Sequence, residues 1–338
     1  MRLAVKALVI CGCFLVHGLQ QAQAEEIGQW HEIHFNSNPA VNFHHFLFEM
    51  ARTGEDLKTQ GWKRDLSKDE LDRLSSIVAY YKEHLITRGR SAMRTDPESL
   101  AISRELTQYT PGRTLRFENP DYQALFEKSF PIYADLLWQR DDASNKLWLS
   151  NLLPLLEKYG NSIQARVEAK LEHPLFSAKQ HKVDIVYRPG HKNGAFTLEI
   201  PYTAINSFRS DYSGLASLEM IFHEVSHSSA TDTLFDKVMA TFKQEGVENS
   251  TAIWHPIMFY TVGTIVEQTL AQDHIQYIQY GSKQGIFTEG YFSSSTPYIE
   301  KYWAPHMDNN ERMDATIASI AKEMHLAADK TAKTTEQN

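Results

Sequence analysis

The stretch that decides the fold is LASLEMIFHEVSH, which runs from Leu215 to His227. Its apolar residues recur every three to four positions, which is the spacing of an amphipathic helix. On such a helix His223 and His227 lie on one face, because residues four apart point the same way. Glu224 is turned about a quarter of the way round the axis from His223. The sequence therefore predicts a helix, from about residue 213 to 230, that carries two imidazoles on one face and a carboxylate beside them.

This arrangement is the one that a hydrolytic zinc site requires. Two imidazoles at this spacing can share one tetrahedral ion, and a neighbouring carboxylate can reach a bound water without binding the metal. The ion lowers the pKa of the water, and the carboxylate takes the proton. The pattern H-E-x-x-H also arises by chance, and the competing interpretation is a pair of core histidines without a metal. The apolar stripe beside the histidines, and an alternating strand before the helix, favour zinc bound by His223 and His227 with Glu224 as general base.

A third protein ligand is required, and two residues compete for this role. His255 directly precedes Pro256, a residue favoured at the start of a helix. Glu267 lies about 120° further round the same helix, which argues against both residues binding one ion. We prefer His255, because a position at the start of a helix lets its imidazole orient toward the metal. Glu267 stays the alternative. Tyr260 could donate to the oxyanion of a tetrahedral intermediate, or could simply pack against its own helix.

The chain as a whole predicts a mainly α (α+β) fold in two lobes. Residues 25–175 read as a helical N-terminal lobe. Residues 176–330 read as a zincin-like metal-binding lobe, in which a small sheet precedes the helix with the two histidines and further helices. The last residues, 331–338, form a polar tail. The boundary between the lobes is set by the change from helical to alternating apolar spacing.

Three local patterns place elements within these lobes. Ser67 and Glu70 have the spacing of a capping box and open a helix. Residues 183–187 and 196–200 alternate between apolar and polar side chains on either side of a turn-rich connection, which predicts a β-hairpin. Two late helices are expected, one from Pro256 to about residue 280 and one over about 311–328.

The N-terminus has the pattern of a cleaved export signal over residues 1–24. A positive start with Arg2 and Lys6 precedes an apolar stretch, and small residues stand at the end of the segment. The alternatives are an uncleaved anchor and, less well supported, a lipid anchor on Cys13. Cleavage removes both cysteines of the chain, so a metal in the mature protein has to bind histidines and carboxylates. A periplasmic or secreted location is therefore expected.

Charge and composition exclude some classes of partner. The net charge is −8, and no block of like charges offers a footprint for nucleic acid. No membrane span is expected after the signal, and the oligomeric state is left open. His44 and His45 could line a cleft, but a packed histidine pair is the better interpretation. Asp141, Asp142 and Asn145 could bind a cation, and a solvated helix surface explains them as well.

The histidine motif also carries a family resemblance. H-E-x-x-H is the signature of the zincin metallopeptidase superfamily, and the chain resembles a group of exported bacterial zincin-like proteins. The matching stretches are residues 42–47, 194–197, 219–227 and 254–263. In the resembling proteins a glutamate often follows the glycine that matches Gly263, whereas this chain has Thr264. This departure is a second reason to look first at His255.

Together these features predict an exported zinc-dependent hydrolase. The resemblance implies a metallopeptidase that holds one Zn²⁺ per chain and acts on a peptide or protein substrate. Two alternatives stay open, a zincin-like protein that binds zinc or peptide without turnover and a helical exported protein without a metal. The sequence does not name the substrate.

Overall fold

The computed structural model describes most of the chain after the predicted export signal. The described residues are 24–88, 96–110, 112–176, 180–188, 195–198, 202–227, 229–247, 253–290, 292–309 and 312–335, with the backbone alone at 198, at 229–232 and at 328–335. The predicted signal therefore lies outside the described residues apart from Ala24. The turn-rich connection at 189–194 and the last three residues lie outside them as well.

Five strands form one mixed sheet in the order β1-β2-β3-β5-β4. They are β1 (Glu25–Trp30), β2 (Ile33–Ser37), β3 (His181–Val186), β4 (Ala195–Leu198) and β5 (Tyr202–Asn206). The two inner pairs, β2 with β3 and β3 with β5, are parallel. The two outer pairs, β1 with β2 and β4 with β5, are antiparallel. Strands β1 and β4 are the edges of the described sheet.

The predicted hairpin between residues 183–187 and 196–200 is wrong in its pairing. Both segments contain strands, but β5 lies between them and pairs with each. The antiparallel hairpin is instead formed by β4 and β5. Sequence periodicity missed β5 because all five of its residues are buried, so it shows no alternation of polar and apolar positions.

Among the described residues, ten longer helices surround the sheet. They are α1 (Pro39–Thr53), α2 (Lys68–Tyr80), α3 (Pro97–Thr107), α4 (Pro120–Leu136), α5 (Trp138–Leu155), α6 (Asn161–Leu171), α7 (Leu215–Ser226), α8 (Ser229–Gln244), α9 (Trp254–Ala271) and α10 (Met313–Thr335). Short helical segments lie at Leu57–Thr59, Tyr81–Leu85, Ile86–Arg88, Leu156–Gly160, Ser210–Tyr212, Tyr280–Lys283, Thr296–Tyr298, Ile299–Trp303 and Ala304–Asp308. The predicted mainly α (α+β) fold is confirmed.

Local sequence explains several helix ends. The predicted capping box is present at α2. The side chains of Ser67 and Glu70 each accept a hydrogen bond from the backbone N–H of the other residue. The helix predicted over 213–230 is shorter than expected, since α7 ends at Ser226. The helix predicted to reach residue 280 ends at Ala271, shortly before His274 turns the chain with a φ of 59°. The last helix extends to Thr335, so that it takes in part of the predicted polar tail.

The sheet lies between two helical layers, each with its own hydrophobic core. Ile185 and Ile205 on one face pack in a core with residues of α6 to α10. Val186 and Ala204 on the other face pack in a core with residues of α1 to α4. The first core also takes in residues of β1, β2 and α5, so the two cores divide the chain differently from the predicted ranges 25–175 and 176–330. Among the described residues, no helix combines the length and the apolar character that crossing a membrane requires.

Candidate metal centre

Helix α7, which carries the two histidines, belongs to the helical layer with the larger hydrophobic core. It begins after Gly214, whose φ of +61° allows the chain to turn into the helix. Its apolar face anchors it, because Leu218, Ile221, Phe222 and Val225 are fully buried. His227 follows the last helical residue but keeps helical backbone angles. The i, i+4 spacing of His223 and His227 is therefore kept, as the sequence predicted.

Helix α9 brings His255 to the same place. His255 lies in its first turn, opposite His223, while Gly263 further along α9 lies opposite Glu219. The two helices are therefore antiparallel. The Nε2 atom of His223 is 3.2 Å from Nε2 of His227 and 3.4 Å from Nε2 of His255. One nitrogen from each of three histidines therefore converges on a common point.

The spacing of these nitrogens fits a small tetrahedral ion. Zinc binds histidine nitrogen at about 2.0–2.1 Å, so two nitrogens on one tetrahedral zinc are separated by about 3.3–3.4 Å. The two short distances from His223 Nε2 agree with this value, and all three nitrogens lie within 4.8 Å of one another. In the described part of the chain this is the one group of three or more His, Cys, Asp or Glu side chains with such a spacing.

His223 is held as a neutral imidazole. Burial lowers the pKa of His223 well below its ordinary value, and the neighbouring His255 lowers it further. Neutral imidazole is the form that binds a metal. The Nδ1 atom of His223 is buried and has no hydrogen-bond partner among the described residues. The ring is therefore oriented by packing, with its centroid 4.3 Å from that of Phe259.

Aromatic rings also hold the other two histidines. The indole of Trp254 stacks on His255 at 5.0 Å and meets the ring of His227 edge-on at 5.7 Å. Phe292 packs edge-on against His255 at 5.0 Å from the other side. Such contacts restrict the rotation of the imidazoles, so the three nitrogens are positioned by the fold before any ligand arrives.

Glu224 lies next to this cluster and is fixed from the sheet. Its side chain is only 6% exposed. Its Oε2 atom accepts a hydrogen bond of 2.9 Å from the hydroxyl of Thr197 on the edge strand β4. Because one helical position separates Glu224 from His223, the carboxylate is turned about 100° away from the histidine face. The carboxylate can therefore contact a water that is bound to the ion without itself binding the ion.

Tyr260 does not belong to this group, and the oxyanion role predicted for it is not supported. Its hydroxyl shares a hydrogen bond with Thr264, and its ring packs against Phe287 at 6.0 Å. Five helical positions separate it from His255, which turns it about 140° away. Phe259 takes the position facing the histidines instead. These contacts fit the alternative interpretation, in which Tyr260 is a packing residue.

Glu267, the alternative third ligand, lies at the far end of the helix pair. Its Oε2 atom accepts a hydrogen bond of 3.1 Å from Nε2 of Gln279, and its charge raises the pKa of Glu219. Twelve residues of helix separate it from His255, about 18 Å along the axis. The structure therefore brings His255, and not Glu267, to His223 and His227.

The remaining sequence candidates are buried structural residues. His44 packs with His45 in the other core, as predicted, and its Nδ1 atom is 2.6 Å from the hydroxyl of Tyr81. Burial lowers the pKa of His44 to about 3. The solvated surface suggested for Asp141 and Asn145 is wrong, because both side chains are buried and hydrogen-bonded within the protein.

The residues that hold Glu224 were missed by the sequence analysis. Thr197 lies between two apolar positions of a predicted strand, and that alternation already assigned it to the opposite face of the sheet. Nothing local in the sequence indicates that this face packs against α7. Only the tertiary fold brings Thr197 to Glu224.

No family model matches the chain, and neither a curated protein nor a solved structure matches it. The interpretation of the site therefore rests on the geometry of the chain's own residues.

Proposed function

We propose that His223, His227 and His255 bind one Zn²⁺ and that the protein is a zinc-dependent hydrolase, most specifically a metallopeptidase of the zincin type. The observation that carries this proposal is the convergence of three histidine nitrogens, with two of their separations at tetrahedral spacing and a buried carboxylate beside them. Three histidine ligands are the set that catalytic zinc sites of the His₃ type use.

The chemistry divides between the metal and Glu224. When bound, Zn²⁺ acts as a Lewis acid toward a carbonyl oxygen and lowers the pKa of a water. Glu224 is the general base, because its carboxylate lies beside the histidines and accepts a hydrogen bond at Oε2 from the neutral hydroxyl of Thr197. It takes the proton of the attacking water and returns it to the leaving amine. No part of this scheme uses Tyr260.

The sheet supports a peptide as the substrate class. Strand β4 is the last strand in the described order and lies beside α7, with Thr197 contacting Glu224. An edge strand can pair through its backbone with an extended peptide, which then lies along the sheet and past the adjacent site. We infer that a peptide added next to β4 presents its backbone carbonyl to the histidine cluster. The predicted export signal places this activity in the periplasm or outside the cell.

The test is Glu224→Gln, which keeps the size of the side chain but removes the base. The purified protein is loaded with Zn²⁺ and assayed against a broad peptide library at neutral pH. The variant should lose about 100- to 10,000-fold in rate, which is typical for loss of a general base. Its zinc content should stay that of the wild type. Glu267→Gln is the matched control, and it should keep full activity.

Two other results would redirect the proposal. Equal cleavage by the wild type and Glu224→Gln would assign the activity to another site or to a contaminant. If both proteins bind zinc and neither cleaves any peptide, the protein is a zinc-binding scaffold of zincin type without turnover, which was the alternative expectation from the sequence.

A further inference from the structure

A buried chain of hydrogen bonds connects Glu224 to three neighbouring strands. The hydroxyl of Thr197 on β4 is 2.9 Å from Glu224 Oε2 and 2.8 Å from the hydroxyl of Thr203 on β5. The hydroxyl of Thr203 is in turn 2.8 Å from Nε2 of His181 on β3. Thr203 and His181 are almost fully buried. The base is therefore held by the sheet and not only by its own helix.

The donors in this chain can be assigned from chemistry. An ionised carboxylate only accepts hydrogen bonds, and each hydroxyl has one hydrogen to donate. Burial lowers the pKa of His181 to about 4, so its imidazole is neutral at neutral pH and carries one N–H. With that hydrogen on Nε2, His181 donates to Thr203, Thr203 donates to Thr197, and Thr197 donates to Glu224. Every donor then points toward the carboxylate.

Thr197 also has a second acceptor within reach. Its Oγ1 atom is 2.9 Å from the backbone carbonyl oxygen of Glu224. The hydroxyl of Thr197 therefore lies against both the side chain and the backbone of Glu224, so strand β4 and the residue that carries the base are held together.

We propose that Thr197 is a positioning residue for the general base. It donates to Glu224 Oε2 while the carboxylate is ionised. The other carboxylate oxygen, Oε1, takes the proton of the attacking water, and the hydrogen bond from Thr197 to Oε2 holds the carboxyl group in place while it is protonated. Glu224 then returns the proton from Oε1 to the leaving amine. This inference rests on the proposed hydrolytic function, because it assigns a role within the same site.

The position of Thr197 in the sheet also links the general base to the proposed peptide substrate. The residue belongs to the edge strand on which a peptide substrate is proposed to pair, and its side chain contacts the base directly. The strand that orients the substrate therefore also orients the carboxylate. A hydrogen-bonded partner of this kind typically changes activity by about 10- to 100-fold when it is removed.

The experiment compares Thr197→Val, Thr197→Ser and Thr203→Val in the zinc-loaded protein. Valine keeps the shape of threonine and suits a strand, but it cannot donate or accept a hydrogen bond. We expect Thr197→Val to lower kcat by about 10- to 100-fold with KM and zinc content unchanged. Thr197→Ser should stay within about threefold of the wild type, because it keeps the hydroxyl. Thr203→Val should have a smaller effect than Thr197→Val, because Thr197 can still donate to Glu224.

The outcomes separate this inference from the proposed function. If Glu224→Gln is inactive while Thr197→Val has wild-type kcat, the positioning role is wrong and the hydrolase stands. A loss that serine does not restore would also overturn the role, because it would point to packing. If no peptide is cleaved by the wild type, the crystal structure of Thr197→Val decides: the Glu224 carboxylate should leave its position or split between rotamers. An unchanged carboxylate would overturn the inference.

Discussion

The two ends of the contact between α7 and α9 are both polar, and they differ in how their polar groups are completed. At one end, three imidazole nitrogens face one another at 3.2 and 3.4 Å along the two short sides of the cluster. At the other end, Glu219 Oε2 accepts hydrogen bonds from the hydroxyl of Tyr277 at 2.6 Å and from the N–H of Tyr280 at 2.8 Å. The carboxylate end is built from the protein's own donors, whereas the imidazole end presents lone pairs to a common point.

A proton completes the carboxylate end. The Oε1 atoms of Glu219 and Gln279 have no hydrogen-bond partner among the described residues, and both lie near Gly263. Burial raises the pKa of Glu219 to about 7, and the charge of Glu267 adds to this effect. The neutral acid is therefore favoured there. The comparison teaches that burial of ionisable groups does not by itself indicate a metal site, whereas the convergence of ligand atoms does.

The largest effect is expected from removing two of the three ligands. His223→Ala combined with His227→Ala should reduce the zinc content from about one ion per chain to almost none, because a single imidazole cannot hold the ion alone. Circular dichroism should show that the variant stays folded, since the apolar residues that anchor α7 in the core are unchanged. The zinc content is measured by mass spectrometry after dialysis. His31→Ala with His34→Ala is the control, and equal zinc in the two double variants would refute the site.

The next effect distinguishes the two ends of α9. His255→Ala should weaken zinc binding by more than about 100-fold, the upper range for residues that only support a ligand. Glu267→Gln should leave the affinity unchanged, because Glu267 is hydrogen-bonded to Gln279 and lies with Glu219. A competition titration with a chromophoric chelator measures both affinities. The reverse ranking would move the third ligand to Glu267 and make the site a His₂Glu centre.

A smaller effect is expected at the carboxylate end, in stability. The pKa of Glu219 rises from 4.5 to about 7 on folding, so between these values the folded state binds more protons than the unfolded state. The contribution of Glu219 to the free energy of unfolding should therefore fall as the pH rises from about 4.5 to about 7. Glu219→Gln stays neutral, and its advantage over the wild type should grow over this range to about 3 kcal/mol.

Urea unfolding at pH 5 and pH 8, with a chelator present, checks this prediction. A difference between Glu219→Gln and the wild type that does not change with pH would show that Glu219 is not the neutral acid. Zinc binding by the variant should be that of the wild type, because Glu219 lies one helical turn from the nearest ligand.

The smallest effect is expected from Gly263→Ala. A Cβ atom at this position would lie 2.9 Å from Cβ of Gln279 and 3.0 Å from Oε1 of Glu219. Crowding of this kind typically costs about 1–3 kcal/mol. Thermal unfolding should show the loss, and the zinc content should not change. A loss of zinc without a loss of stability would mean that the two ends of the helix pair are not independent.

Sequence reasoning was most successful where the information is local. The helical spacing of His223 and His227, the capping box at Ser67 and the helical character of most of the chain depend on neighbours within a few residues, and all are present. Helix ends, such as the end of α7 at Ser226, were less accurate, because they depend on packing as well as propensity.

Long-range features could not be predicted in the same way. The sequence favoured His255 as the third ligand and left Glu267 as the alternative, and it is the packing of α9 against α7 that brings His255 to the other two histidines. The pairing of β3 with β5 required a strand whose residues are all buried, which periodicity cannot detect. Tyr260 was placed near the ion by its closeness to His255 in sequence, although helical geometry turns it away.

The most direct test of the zinc site is anomalous diffraction at the zinc edge from a crystal of the zinc-loaded protein. The proposed site predicts one strong peak about 2.0–2.1 Å from an Nε2 atom of each of His223, His227 and His255. Glu224 should lie beside the peak without contacting it, with its Oε2 atom still hydrogen-bonded to Thr197. A peak between Glu219 and Glu267, or no peak near the three histidines, would contradict the assignment.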